Sequence, residues 1–208
     1  MRRLAIFDLD GTLVDSRRDL ADAGNAARAA LGLAPLPVEA IVPMIGDGAG
    51  KLIERLTPDG DAPARQRAMA AFRTDYATRL TAHTVAYPGI PGLLADLRRR
   101  GWLIAVATNK PAGFARPLLA QLGLAVDGLR GGEGAKKPDP TMLFELMREL
   151  TAVAASTWVI GDHHTDLQAA AAAGVRGVHC TWGFGRRDGA PAVAVVAHPG
   201  ELLAVLDG

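Results

Sequence analysis

The chain has 208 residues, 49% hydrophobic and 22% charged, which excludes a disordered polymer and leaves room for a sizeable core. Twenty-three lysines and arginines against 22 aspartates and glutamates give a formal net charge of +1, too even for a dedicated nucleic-acid binder. One cysteine, Cys180, excludes an intrachain disulfide and points to a cytoplasmic protein.

Two arginines and an apolar run open the chain. The run stops at Asp8, short of the roughly 7–15 apolar residues of a secretion signal. No apolar stretch approaches the roughly 20 residues of a membrane helix, so no membrane partner is expected. Leu4–Phe7 reads as a buried strand, as do Leu103–Ala107, Trp158–Ile160, Val175–His179 and, more weakly, Val193–Val196. Helical patterns separate most of them. One follows Gly89 and stops at Gly101. Others run from about Gly113 to Leu122, over Pro140–Leu150 and over Asp166–Ala173, the first and last ending at Gly123 and Gly174. This alternation predicts an α/β fold: a parallel sheet with helices on both faces. From Ser16 to about Ala82 only helical patterns occur, with Ser16 placed to cap the first. The division expected is a core of residues 1–15 and 84–208 and an inserted all-helical module of residues 16–83. The short, glycine-rich Val126–Lys136 segment is expected to hold no regular strand.

Ligands of open α/β sheets bind beyond the carboxyl ends of the strands, and four polar clusters fall there. Asp8 and Asp10 close the first strand, and i, i+2 spacing in extended chain aims both carboxylates into one space. Such a pair calls for a cation. Thr108 and Asn109 follow the second strand with a hydroxyl and turn amides suited to phosphate. Lys137 sits in a proline-stiffened turn, a fixed positive charge. Asp162 and Asp166 follow the Trp158–Ile160 strand and suit a hard, oxygen-preferring cation. His163 and His164 suggest zinc. Adjacent histidines are expected to diverge, however, and no second His/Cys cluster completes a site. They read instead as loop residues or as donors behind the metal.

The runs DLDGTLVDS, VATNK, KKPDP and VIGDHHTD together resemble, in order and spacing, the four motifs of the haloacid dehalogenase-like hydrolase superfamily. IGDGAGKLIERL and the segment from Tyr87 to Leu124 are similar to its phosphoglycolate phosphatase branch. The resemblance implies a Rossmann-like core with an inserted helical cap. It implies a phosphatase dependent on Mg²⁺ that acts on a small-molecule phosphate ester, first 2-phosphoglycolate, through an aspartyl-phosphate. A phosphosugar phosphatase or phosphosugar mutase of the same fold is the alternative. It further implies that Asp8 is the nucleophile and Asp10 the general acid/base. Thr108, Asn109 and Lys137 would bind phosphate. Asp8, Asp10 (through its carbonyl) and Asp162 would hold the metal, with Asp166 an alternative ligand. Gly46, Lys51 and Arg55 are the candidate substrate contacts from the cap. A monomer or homodimer is expected. One departure is His163, where relatives carry Ser or Thr.

Overall fold

The computed structural model describes residues 2–208. In chain order the strands and helices are β1 Arg2–Phe7, β2 Val14–Asp15, α1 Arg17–Ala29, α2 Val38–Ile41, α3 Ala49–Leu56, α4 Ala62–Thr78 and β3 Val85–Ala86. They continue with α5 Ile90–Arg99, β4 Trp102–Ala107, α6 Ala112–Gln121, β5 Gly128–Arg130 and α7 Thr141–Glu149. Last come β6 Ala152–Gly161, α8 His164–Ala172, β7 Arg176–Cys180, β8 Ala194–Val196 and α9 Leu202–Asp207. Six strands form one parallel sheet in the order β5-β4-β1-β6-β7-β8. No described helix is long and apolar enough to cross a membrane.

The period-2 alternation of the central strands builds two cores. Ala5, Phe7, Ile104, Val106, Trp158 and Ile160 face one way, against apolar residues of α5, α6 and α9. Leu4, Ile6, Ala105, Ala107 and Val159 face the other way, against α7 and α8. Both faces are covered, which is why these strands read as nearly unbroken apolar runs. Each fully buried Leu, Ile or Phe in them stabilises the fold by roughly 1.5–3 kcal/mol.

Between β2 and β3 the chain leaves the sheet and makes α1 to α4. These helices enclose a third cluster of their own, including Leu20, Ile41, Leu52, Ile53, Leu56, Phe72 and Tyr76. The exit and return run side by side, because β2 and β3 pair antiparallel as a separate two-stranded ribbon.

Three local expectations change. The Val126–Lys136 segment does contain a strand, β5, paired parallel with β4 through Ala105–Ala107. Gly128 permits it: a Cβ there would lie 2.9 Å from Leu146 Cδ2, so α7 closes directly on the strand. β6 is also longer than Trp158–Ile160. Its first half, Ala152–Ser156, is partly to fully exposed and lacks a long apolar run to announce it. Ser16 does stand at the N-cap of α1, but its side chain does not cap the helix.

Candidate active site

β1 lies between β4 and β6, so the connections run to opposite sides of it and leave a crevice at its carboxyl end. The four polar clusters meet there. Asp8 leaves β1, Thr108 and Asn109 leave β4, Lys137 lies in the loop after β5, and Asp162 leaves β6. β5 therefore completes the set: without it the lysine loop would have no strand end to start from.

Lys137 is the electrostatic pivot. Its Nζ donates to Asp8 Oδ1 at 2.8 Å, to Asp166 Oδ1 at 2.6 Å and to the Ala107 carbonyl. Burial works against its charge, but Asp166 and Asp8 outweigh burial and hold the ammonium above its ordinary range. Asp166 spends its other oxygen on the His163 amide at 3.0 Å. Both its oxygens are thus committed to positioning Lys137 and the start of α8. Asp8 lines the cavity and keeps one oxygen that no hydrogen-bond donor among the described residues reaches.

Asp162 is 1% exposed. Oδ1 accepts from Thr12 Oγ1 at 3.1 Å, and Oδ2 accepts from the Phe184 and Gly185 amides at 3.1 and 2.7 Å. Glycine is required around it: a Cβ on Gly11, where φ is +93°, would lie 2.0 Å from Asp162 Oδ2, and one on Gly183 would lie 2.3 Å away. Burial first, then Asp8 and Asp166, push the Asp162 carboxyl up to about 8. Burial likewise lifts Asp8, to about 6, against the pull of Lys137.

Asp10 is gripped by a residue to which the motifs assign no role. Lys110 Nζ donates to both Asp10 oxygens at 2.7 Å, and Ser16 Oγ donates to Oδ1 at 2.6 Å. Lys110 also lies over the Tyr76 ring, 4.8 Å from its centroid. It stands in the Thr108–Pro111 run, yet its partner is 100 residues away, a pairing that spacing cannot disclose. Thr108 and Asn109 line the same cavity. The Asn109 side chain is a brace: Nδ2 donates to the Gly46 and Lys137 carbonyls at 3.1 and 3.0 Å, and Oδ1 accepts from the Lys137 amide at 2.8 Å.

Of the three residues expected from the helical module, only Gly46 lines the cavity. Lys51 is exposed and pairs with Glu54, and Arg55 pairs with Asp47 and the Met44 carbonyl. The cavity roof is formed instead by apolar residues such as Leu20, Leu52 and Phe72, with Tyr76 and Arg73 of α4. Arg73 has no ion-pair partner among the described residues. The Tyr76 hydroxyl is buried without a hydrogen bond, and burial pushes its pKa up to about 12, so it stays a donor. Helical spacing marks Phe72 and Tyr76 as core, and nothing in it marks their second role.

The donor set fits a divalent cation. Oxygens of Asp8, Asp162 and Asp166 lie within 4.8 Å of one another. The centre holds four carboxylates, those of Asp8, Asp10, Asp162 and Asp166, against the two ammonium groups of Lys110 and Lys137. It is two positive charges short, and its ligands are hard oxygens. This has a measurable consequence. Asp162 and Asp8 are raised from 3.8, so the folded metal-free chain binds more protons than the unfolded chain above about pH 4. The stability they contribute is lost as pH rises through about 6 and then about 8. Thermal melts in chelator should therefore fall from about pH 4 to about pH 8, with only Asp162 still contributing above about pH 6 and with an added divalent cation stabilising most at the upper end. Asp162→Asn should flatten the metal-free dependence. Melts that slope equally in that variant and in the parent would refute this account.

The comparisons with known proteins agree with the geometry. The chain is 41% identical over 198 residues to a phosphoglycolate phosphatase of Rhodospirillum rubrum, covering 89% of this chain and 82% of the relative. It is 38% identical to a phosphoglycolate phosphatase of Pseudomonas putida, covering 99% and 79%. A crystal structure of a predicted phosphoglycolate phosphatase from Haemophilus somnus superposes with a TM-score of 0.93 at 26% identity, covering 98% of this chain and 97% of that one. The family model for haloacid dehalogenase-like hydrolases matches residues 3–174. The chain belongs to the haloacid dehalogenase-like hydrolase family.

Proposed function

We propose that this phosphatase hydrolyses a small phosphate monoester, with 2-phosphoglycolate the leading candidate, through an aspartyl-phosphate on Asp8. One observation carries the reading: Asp8, which lines the cavity, is fixed to Lys137 through one oxygen while no hydrogen-bond donor among the described residues reaches the other. A carboxylate must approach an anionic phosphate, so positive charge has to be in place beforehand. Lys137 supplies part of it. Asp8, Asp162 and the Asp10 carbonyl, with Asp166 behind them, would hold Mg²⁺, which would supply the rest of that charge.

The Asp8 oxygen attacks phosphorus and the bond to the leaving oxygen breaks. Asp10 gives its proton to that oxygen and the alcohol departs. Asp10 then takes a proton from water, which attacks the aspartyl-phosphate, releases inorganic phosphate and restores Asp8. Thr108 and the turn amides after β4 bind the phosphoryl oxygens. Lys110 holds Asp10 in reach.

Residues 16–83 act as a cap over a core of residues 1–15 and 84–208. The mostly apolar roof offers few partners for sugar hydroxyls, which favours a small acid. Arg73 and Tyr76 line the cavity, and the guanidinium and the unpartnered hydroxyl would be the partners of its carboxylate. The test is turnover of 2-phosphoglycolate, simple alkyl phosphates and sugar phosphates with Mg²⁺, measuring phosphate released and sugar isomerised. Preference for 2-phosphoglycolate is expected. Arg73→Gln should raise KM for it about tenfold, the scale of one hydrogen bond to a charged group, and leave ethyl phosphate unchanged. Preference for a sugar phosphate, or isomerisation without phosphate release, defeats the reading.

A further inference from the structure

His163 and His164 do not diverge. Their ring centroids lie 4.1 Å apart, one residue at the N-cap of α8 and the next in its first turn. Facing them is Asp47, on the loop of the helical module that leads into α3. One ligand atom from each of the three lies within 4.8 Å of the other two. We propose that Asp47, His163 and His164 form a second metal site, for a borderline-soft divalent ion such as Zn²⁺, which latches the helical module to the sheet beside the cavity.

The donor chemistry separates this site from the carboxylate centre. Two imidazoles and one carboxylate suit zinc, nickel or copper, whereas Mg²⁺ favours oxygen ligands. Three atoms no more than 4.8 Å apart all lie within about 2.8 Å of some common point, so small side-chain movements reach the 2.0–2.2 Å of bound zinc.

The side chains are already oriented. His163 is 9% exposed, and its Nδ1 faces Thr165 Oγ1 at 3.0 Å. The Thr165 amide also points at Nδ1, at 3.5 Å; in the tautomer that donates Nδ1–H to the hydroxyl, Nε2 presents a lone pair. The face of that ring lies against Gly46, where a Cβ would lie 2.8 Å from Nε2 and 2.9 Å from Cδ2, so the glycine at φ +124° leaves the ring its room. His164 Nδ1 is buried without a hydrogen bond, with Asp188 Oδ2 at 3.5 Å. Arg55 occupies one oxygen of Asp47 at 2.5 Å and leaves the other for a ligand. The hydroxyl behind the His163 ring is a support that metal-bound histidines ordinarily have, and Asp188 lies near enough to the His164 ring to become one after a small movement.

The site has a consequence for the cavity. Gly46, Gly48 and Ala49 flank Asp47 and line the cavity wall. Among the described side-chain hydrogen bonds, Asn109 to the Gly46 carbonyl ties this loop to the sheet. An ion shared by Asp47 and the two histidines adds a second, stronger tie. Opening is required for substrate entry and product release, so the latch slows turnover.

The experiment titrates Zn²⁺ into the full chain with Mg²⁺ in large excess, so that the carboxylate centre is filled. Calorimetry should show one zinc bound, and Co²⁺ in its place should give the visible absorption of an imidazole-bound ion. His164→Gln should weaken zinc binding at least about tenfold, and Asp47→Asn similarly, with circular dichroism confirming that both variants fold. Zinc should slow phosphate release by the parent severalfold but not by His164→Gln, which keeps parental turnover in Mg²⁺ alone. Equal affinity in parent and variants, zinc bound only when Mg²⁺ is absent, or zinc bound without slower turnover would each overturn the proposal. The binding arm needs no substrate, so it stands or falls separately from the activity assigned above.

Discussion

Replacing Asp8 by asparagine is expected to remove measurable phosphate release, a loss of at least about 10⁴-fold in kcat. The amide oxygen is a far weaker nucleophile than a carboxylate, and no neighbour can replace it. Asp166 has both oxygens engaged, by Lys137 and by the His163 amide. Asp162 is enclosed by the amides of Phe184 and Gly185 and the Thr12 hydroxyl. Asp10 is held by Lys110 and Ser16. The fold should survive. Burial already opposes the Asp8 charge and lifts its pKa to about 6, so a neutral isostere relieves repulsion with Asp166 and Asp10. Thermal stability in chelator should equal or exceed the parent's near neutral pH. The measurements are steady-state phosphate release from an aryl phosphate with Mg²⁺, and a melt of the same preparation. A variant that retains a tenth of the parental rate would sink the aspartyl-phosphate mechanism. A variant that loses activity together with its melting transition would say nothing for Asp8 as nucleophile, and would contradict the electrostatic reading of its burial.

What the amino-acid sequence discloses follows from how local each signal is. Leu4–Phe7 is a run of four apolar residues ending in Asp8-Leu9-Asp10-Gly11, and its strand, its burial and the placement of Asp8 all follow from that one segment. The same holds for Leu103–Ala107 before Thr108. β5 was invisible because its support is tertiary: Gly128 has poor strand propensity, and only the approach of Leu146 from α7 gives its missing side chain a purpose. Lys110 and Asp10 are joined across 100 residues, and Asn109 braces Gly46 across 63. No periodicity encodes either contact. Nothing local separates Lys51 and Arg55 from Arg73, which the sequence reading does not single out, because all three are cations on helices of the same module. Only the packing of α3 and α4 shows which one borders the cavity and which are neutralised by Asp47 and Glu54. His163 is the converse case. Its departure from the usual Ser or Thr was plain in the motif, but the meaning of that change depends on a loop more than 100 residues earlier in the chain.

Lys137→Met should be the most damaging single substitution for both activity and stability, and pH separates its two effects. The ammonium is 2% exposed and the side chains it joins, Asp8 and Asp166, are 12% and 1% exposed. Removing one partner from a buried ion pair typically costs about 3–5 kcal/mol, because the charge left behind is neither solvated nor paired. Methionine fills much the same volume, so a cavity accounts for little of that loss. The orphaned carboxylates can escape the penalty only by taking up protons. Asp8, already raised to about 6 by burial, then loses the interaction that pulls it down, so its pKa moves further up. A group so raised contributes stability at low pH that is lost as pH rises. Denaturant unfolding in chelator should accordingly show a large deficit against the parent near pH 8 that narrows markedly towards pH 5.5. Activity should not return with stability. Phosphate release should stay at least about 10²-fold below the parent across the range, because the fixed positive charge beside Asp8 is missing at every pH. A stability deficit independent of pH would mean that Lys137 acts through packing alone. Recovery of turnover at pH 5.5 would mean that its charge serves the fold and not the reaction.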